Sequence, residues 1–376
     1  NLKLNINASL SNNSFINNLD NNNGFVNYNG ELVKSSKYKF SKIKNFNSFQ
    51  PDIVIHSKGL IFFDNNGTIL NFDNSSKLIW KQNIYTKKEK KQKPILFFSI
   101  NKKNLIITDN LGKYYALKIN DGKLLWKKNH SAPFNSQIKI FKNKFFTVDY
   151  ESTLHCISVT NGKKLWSVKT EDTFIKSIKK ISLIIKNDIV IFNNFLGDIS
   201  AVDINSGNLV WQTPTQSTKI YADSFKLEIS DIVSQSNSIF FSNNKSEFYS
   251  LDLQTGFINW KQSINSNLRP TVIENLIFTV TLNGMLVVIE KNSGNVIRIT
   301  DVFIDFKNRN KIKPVGFIVG KKYIYLTTNN GKLILVNINN GKIFKILKID
   351  SGKISRPLVH NQSLYIAKDD SIIKLK

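Results

Sequence analysis

A chain of 376 residues with 41% hydrophobic side chains and 27 phenylalanines has ample material for a core. Its one cysteine, Cys156, excludes any intramolecular disulfide and any cysteine zinc cluster. The formal charge of +26 comes from 53 basic side chains, only four of them arginine (Arg269, Arg298, Arg309, Arg356). Arginine forks that read phosphates and base edges are therefore scarce, and the charge reads as a solvated lysine surface with no nucleic-acid partner.

In chain order, residues 1–30 are rich in Asn and Ser and are expected to form a flexible spacer. They carry no basic-then-apolar signal and no cysteine for lipidation, so an export signal and any lipid anchor are expected to be absent from this chain. No apolar run of about 18 residues follows anywhere. From residue 31 to 376 the chain repeats one grammar. GTILNFDNSSKLIW runs from Gly67 to Trp80 with Ser76 at its turn. GKYYALKINDGKLLW spans Gly112 to Trp126, STLHCISVTNGKKLW Ser152 to Trp166, GDISAVDINSGNLVW Gly197 to Trp211, and SEFYSLDLQTGFINW Ser246 to Trp260. Two further copies end in Arg298 and Lys345 instead of tryptophan. Each copy is two apolar strands joined by a tight turn, whose glycine (Gly122, Gly162, Gly207, Gly256) supplies a positive φ.

Upstream of each hairpin lies a second pair of short strands, five of which open on a proline: Pro51, Pro94, Pro270, Pro314 and Pro357. Proline cannot donate to a ladder, so the start of a strand suits it. Each unit is thus four antiparallel strands in about 40–45 residues, the size of a propeller blade. Lys87–Lys93, the densest lysine cluster, falls between the first and second units and reads as a loop. The last unit stops at Lys376 after its third strand, while the front carries an orphan strand near Gly30–Phe40, aligned with Gly30 at the turn and Lys34 at the tryptophan position. Pairing of the two would close a ring of eight blades and remove the open edges. The expected fold is an all-β, eight-bladed propeller.

The pattern A-x-[DN]-x-x-[ST]-G-x-x-x-W, best matched by Ala201 to Trp211, resembles the tryptophan-docking repeat of the PQQ-like β-propellers. Eight units, strand closure and size resemble the BamB family of outer-membrane protein assembly factors, over roughly residues 30–376. The resemblance implies that Trp80, Trp126, Trp166, Trp211 and Trp260 pack each blade on the next. It also implies a monomeric periplasmic protein, associated with the outer membrane, that binds the barrel-forming BamA through inter-blade loops.

Quinoprotein dehydrogenases share the repeat but hold their cofactor with adjacent cysteines and a calcium site. One cysteine removes the first feature, and no carboxylate cluster supplies the second. The histidines His56, His130, His155 and His360 are dispersed, without metal-ligand spacing. No glycine-rich phosphate loop opens a helix. No enzyme and no cofactor are expected; a quinone-dependent dehydrogenase, or a degenerate relative of one, is the alternative.

The expected contact surface is built from the longest connection, Gln212–Leu227, and its neighbour. Tyr221 and Phe225 are aromatics outside the strand pattern, and large aromatics on loops serve as interface anchors. By the family resemblance Phe174 and Lys176 enter the fourth blade, and Glu228 and Asp231 enter the fifth, at the partner-binding connections.

Overall fold

The computed structural model describes residues 16–101, 103–215 and 227–376. The chain forms eight antiparallel sheets, each built around four strands. Blade 1 runs Val54–His56, Gly59–Phe63, Ile69–Asp73 and Leu78–Gln82 from the bore outwards, and blades 2 to 7 repeat that order. The prolines stand where a ladder tolerates them, just before or at the inner strand: Pro270 precedes Thr271–Ile273 and Pro314 begins Pro314–Gly320. The two central strands of each blade are apolar on both faces, as in Gly59–Phe63 and Ile334 to Val336, because each face packs on a neighbouring blade. The outer strands alternate exposed and half-buried residues and face solvent.

The ring closes by an outer strand from the opposite end of the sequence. Lys34–Lys39 pairs antiparallel with Ser371–Leu375, and Val33 and Lys376 exchange backbone hydrogen bonds at 2.9 Å. The register of this strand differs from the expected one by two residues. A bulge lies between Lys34 and Ser36, matching the bulge between Leu124 and Trp126 in blade 2. Ser36, not Lys34, therefore occupies the tryptophan position. The residue four before it is Leu32, which takes φ +63° at the site where Gly122 takes φ +70°. Gly30 had marked the turn by its identity, but the closing ladder fixes the register through hydrogen bonds, and Leu32 bears the strained conformation.

Two further elements depart from expectation. The lysine cluster is a short helix, Lys87–Lys91, not a loop. Thr86 and Glu89 form a reciprocal capping box, and Glu89 pairs with Lys113 at 2.8 Å. The signal was T-x-x-E inside the run of lysines.

Residues 16–30, expected within a flexible spacer, lie against the ring. Asn17 exchanges two hydrogen bonds with the backbone of Ile140 on blade 3. The Leu19 carbonyl accepts from Ile185 on blade 4 at 2.7 Å, and the Asp20 carbonyl from Ser234 on blade 5 at 2.9 Å. Asn22 donates to Val272 on blade 6 at 3.1 Å, and Phe25–Val26 then adds a parallel strand to Val319 and Gly320 on blade 7. Inner strands of a propeller leave unpaired backbone groups facing the bore, and a carboxamide offers one donor and one acceptor group like a peptide. The asparagines that read as spacer here satisfy those edges.

Candidate functional site

Five of the joints between blades share one geometry. Trp80 donates its indole N–H to the Ile119 carbonyl at 2.9 Å, and Trp126 to Val159 at 2.9 Å. Trp166 reaches Ile204 at 3.2 Å, Trp211 Leu253 at 3.2 Å, and Trp260 Lys291 at 2.9 Å. Each ring lies over the turn of the next blade: a Cβ on Gly122 would stand 2.6 Å from the Trp80 ring, and one on Gly162 would meet Trp126 equally closely. Gly207 and Gly256 stand in the same relation to Trp166 and Trp211. The glycine is thus required twice, for its φ and for the close approach of the indole. Trp211 is buried and the other four are half-buried.

The expected contact residues separate into distinct environments. Phe174 is fully exposed, with Ile175 and Ile178 partly exposed beside it in sequence. Lys176 is turned back onto the ring: its ammonium pairs with Asp172 at 2.6 Å, donates to the Tyr150 carbonyl and lies 5.6 Å from the Phe195 ring centroid. Glu228 accepts from Asn267 through its carboxylate, and Asp231 pairs with Arg269. Both acids line the central bore, not the rim that carries Phe174. Tyr221 and Phe225 lie outside the described residues.

The bore holds a cavity of about 340 Å3. Its wall carries six cations: Lys139, Lys179, Lys180, Arg269, Lys353 and Arg356. Three carboxylates, Asp52, Glu228 and Asp231, oppose them. Lys180 pairs with Asp52 at 2.5 Å, and Arg269 with Asp231. The Asp231 carboxyl, disfavoured as an anion by burial, is nevertheless held well below the usual range by Arg269 and the lysines around it. Burial pulls Lys139 down to about 7, with the Arg269 charge adding to the effect. The sequence gives no sign of these cations because they fall on four separate stretches of the chain, among 47 other basic side chains.

Two of the dispersed histidines do meet. His130 and His155 each place Nε2 2.8 Å from the same Asp149 oxygen, Oδ2. Burial opposes ionisation of Asp149, but the two imidazoles outweigh it and hold the carboxyl well below its ordinary value. These three groups could offer a metal one ligand each. The repeat supplies a structural account. Asp149 Oδ1 accepts from the amides of Glu151 and Thr153, as Asp109 Oδ1 does from Leu111 and Lys113 in blade 2. Tyr85 reaches Asp109 Oδ2 at 2.5 Å from the connection entering blade 2, as His130 reaches Asp149 from the connection entering blade 3. The carboxylate is a turn former that also fastens the incoming chain. Cys156, on the strand beside His155, is buried with its thiol pushed up to about 12, which leaves it inert as a nucleophile.

Comparison with known proteins agrees with the geometry of the ring. BamB from Moraxella catarrhalis superimposes with a TM-score of 0.76 at 15% identity, covering 92% of this chain and 99% of that one. A europium-containing methanol dehydrogenase gives 0.74 at 11% identity, covering 96% of this chain and 90% of its own. Quinohemoprotein alcohol dehydrogenase from Comamonas testosteroni gives 0.72 at 10% identity, covering 97% and 80%. At such identities these likenesses establish the fold alone. No curated protein matches the sequence. The sequence profile described as outer membrane protein assembly factor BamB matches residues 65–300, more than half of the chain, and the chain belongs to that family.

Proposed function

We propose that this protein is a non-enzymatic interaction subunit that assists insertion of β-barrel proteins into the outer membrane. In this reading it works in the periplasm, associated with the outer membrane, and holds the soluble domains of a BamA-type barrel-assembly protein. Family membership supports the setting. The observation that carries the surface is Phe174, a large aromatic left wholly in solvent on a connection tied down by Lys176. A loop that fixes its backbone while exposing an apolar side chain is pre-organised for an interface, since little entropy remains to be lost on docking. Ile175 and Ile178, exposed beside it in sequence, add apolar surface, and Tyr221 and Phe225 are proposed as further contacts. Glu228 and Asp231 support this surface only indirectly, by tying the start of blade 5 to Asn267 and Arg269 on the connection entering blade 6. The test is co-purification of the BamA-type partner from native membranes with this chain and with the Phe174→Ala, Ile178→Ala double variant. Loss of the partner from a variant that keeps its fold is the expected result. Undiminished recovery would place the contact elsewhere.

A further inference from the structure

The central cavity presents more positive charge than its own carboxylates neutralise. Among the described residues, Lys139, Lys179, Lys353 and Arg356 form no ion pair. Their partners are neutral oxygens: Lys139 reaches the Asn18 carbonyl and Asn21 Oδ1, and Lys179 the Asn267 carbonyl. Lys353 reaches the carbonyls of Asn47 and Phe49 at 3.1 and 2.9 Å, and Arg356 the Phe317 carbonyl at 3.2 Å. Glu228 attracts Lys179 and Lys353 without standing within ion-pair distance of either. Among the described residues, six cations against three carboxylates leave a surplus of three charges around 340 Å3.

Charges removed from water are costly unless opposed, so a wall of this kind is a poor structural solution by itself. Lys139 is 2% exposed, and Lys179 and Lys353 are both drawn down to about 8 by burial. An apolar or carboxamide lining would fill the same bore at lower cost. The surplus is also distributed. Lys139 opens the inner strand of blade 3, Lys179 enters blade 4, and Lys353 and Arg356 enter blade 8 on the other side of the ring. A singly charged ion could neutralise one wall only. A molecule carrying anionic groups at two or more of its ends would meet both. The cavity volume falls at the lower end of the roughly 300–1,000 Å3 range of small-molecule sites.

We infer that the bore is a binding site for a small organic or inorganic polyanion, bearing two or more carboxylate or phosphate groups, held by Lys139, Lys179, Lys353 and Arg356. Ile178 lies at the border of this cavity and the loop surface that carries Phe174, but none of the four cations belongs to that surface, so loss of polyanion binding on Lys353→Met and loss of the partner on Phe174→Ala can occur separately.

Calorimetric titration of the full chain with citrate and with pyrophosphate, against acetate and orthophosphate at matched ionic strength, tests it. Saturable binding of citrate or pyrophosphate, at least about 10-fold tighter than acetate and orthophosphate, is expected, since each added charge-assisted contact is worth of that order. Which of the two binds assigns carboxylate or phosphate as the recognised group. Lys353→Met should weaken that binding about 10-fold, and Lys139→Met should do so if it folds, while Lys88→Met on the surface helix should leave it unchanged. Binding should also tighten from pH 9 to pH 6.5, as Lys139, Lys179 and Lys353 take up protons in the company of Lys180, Arg269, Arg356 and the three acids. The absence of saturable binding by either polyanion, equal binding of acetate and citrate, or binding indifferent to Lys353→Met would each overturn the inference.

Discussion

Arg298 donates from Nη2 to the carbonyl of Ile338 at 2.7 Å, the bond that a tryptophan indole makes in each of the five preceding blades. A second donor, Nη1, reaches Asn339 at 2.7 Å. The guanidinium keeps the acceptor and gives up the ring, so the joint between blades 6 and 7 retains its hydrogen bond and loses most of its apolar contact. Trp211→Ala should accordingly cost about 3–5 kcal/mol, the range for a buried large aromatic. Arg298→Ala should cost less, about 1–2 kcal/mol, because the group is half-exposed and its charge is screened. Denaturant titration of the two variants measures the difference, and equal losses would remove the distinction between the joints.

The ring should be least protected where the indoles are missing. Lys345 of blade 7 is exposed, and Ser36 stands at the equivalent position of blade 8. Tyr38, two residues on, reaches the Asn74 carbonyl at 3.3 Å and gives blade 8 a partial substitute. Amide exchange in Ile343–Lys348 should therefore run faster than in Leu209–Thr213, whose tryptophan is buried. Uniform exchange around the ring would speak against a weak seam.

Closure makes its own prediction. Deleting residues 1–40 removes the outer strand of blade 8 and the parallel strand Phe25–Val26, opening two sheet edges. That truncation should melt well below the full chain and aggregate. Deleting residues 1–30 should also lower the melting temperature, because Val26 and Tyr28 are wholly buried and Asn21 bonds blades 3, 4 and 5 together. A 1–30 deletion that melts with the full chain would show that the segment contributes nothing.

Stability should fall as the medium is acidified below neutrality. His56, His155 and His360 are each held below the ordinary imidazole value, first by burial. The unfolded chain therefore takes up these protons near pH 6.5 before the folded one does, and folding loses stability as pH drops through that value. Asp149, held low in the folded state, acts in the same direction further down: its contribution is complete above about pH 4 and is lost as pH falls towards its folded value. Melting temperature should decline from pH 7.5 to 5.5, and less steeply in a His155→Asn variant. A melting temperature that rises over this interval would contradict the assignment.

The parts of this molecule that sequence revealed are those enforced at every repeat. Gly122 and Trp80 must coexist because an indole lies on a turn with positive φ, and that demand recurs often enough to be seen. Leu32 escaped notice because in blade 8, as at Ser76 in blade 1, the positive φ falls on a residue other than glycine, here with the closing ladder holding the strand in register. Asn21 read as spacer because its partners, Gln137, Ser182 and Ile232, are more than 100 residues away. The bore charges were hidden for a related reason: Lys139 and Arg356 look like any other basic residue until the ring of inner strands brings them to one cavity. His130 and His155 met for the same cause, since Asp149 gathers His130 from a connection and His155 from a strand of the same blade.

In the proposed function the connection bearing Phe174 faces a BamA-type partner. A photo-reactive amino acid placed at position 174 in cells that make both proteins, with a second placed at Lys88 on the surface helix, tests it most directly. A light-dependent adduct with the partner's soluble domains from position 174, and none from position 88, is the predicted result. Adducts from position 88 alone, or from neither position in cells where the two proteins co-purify, would contradict it.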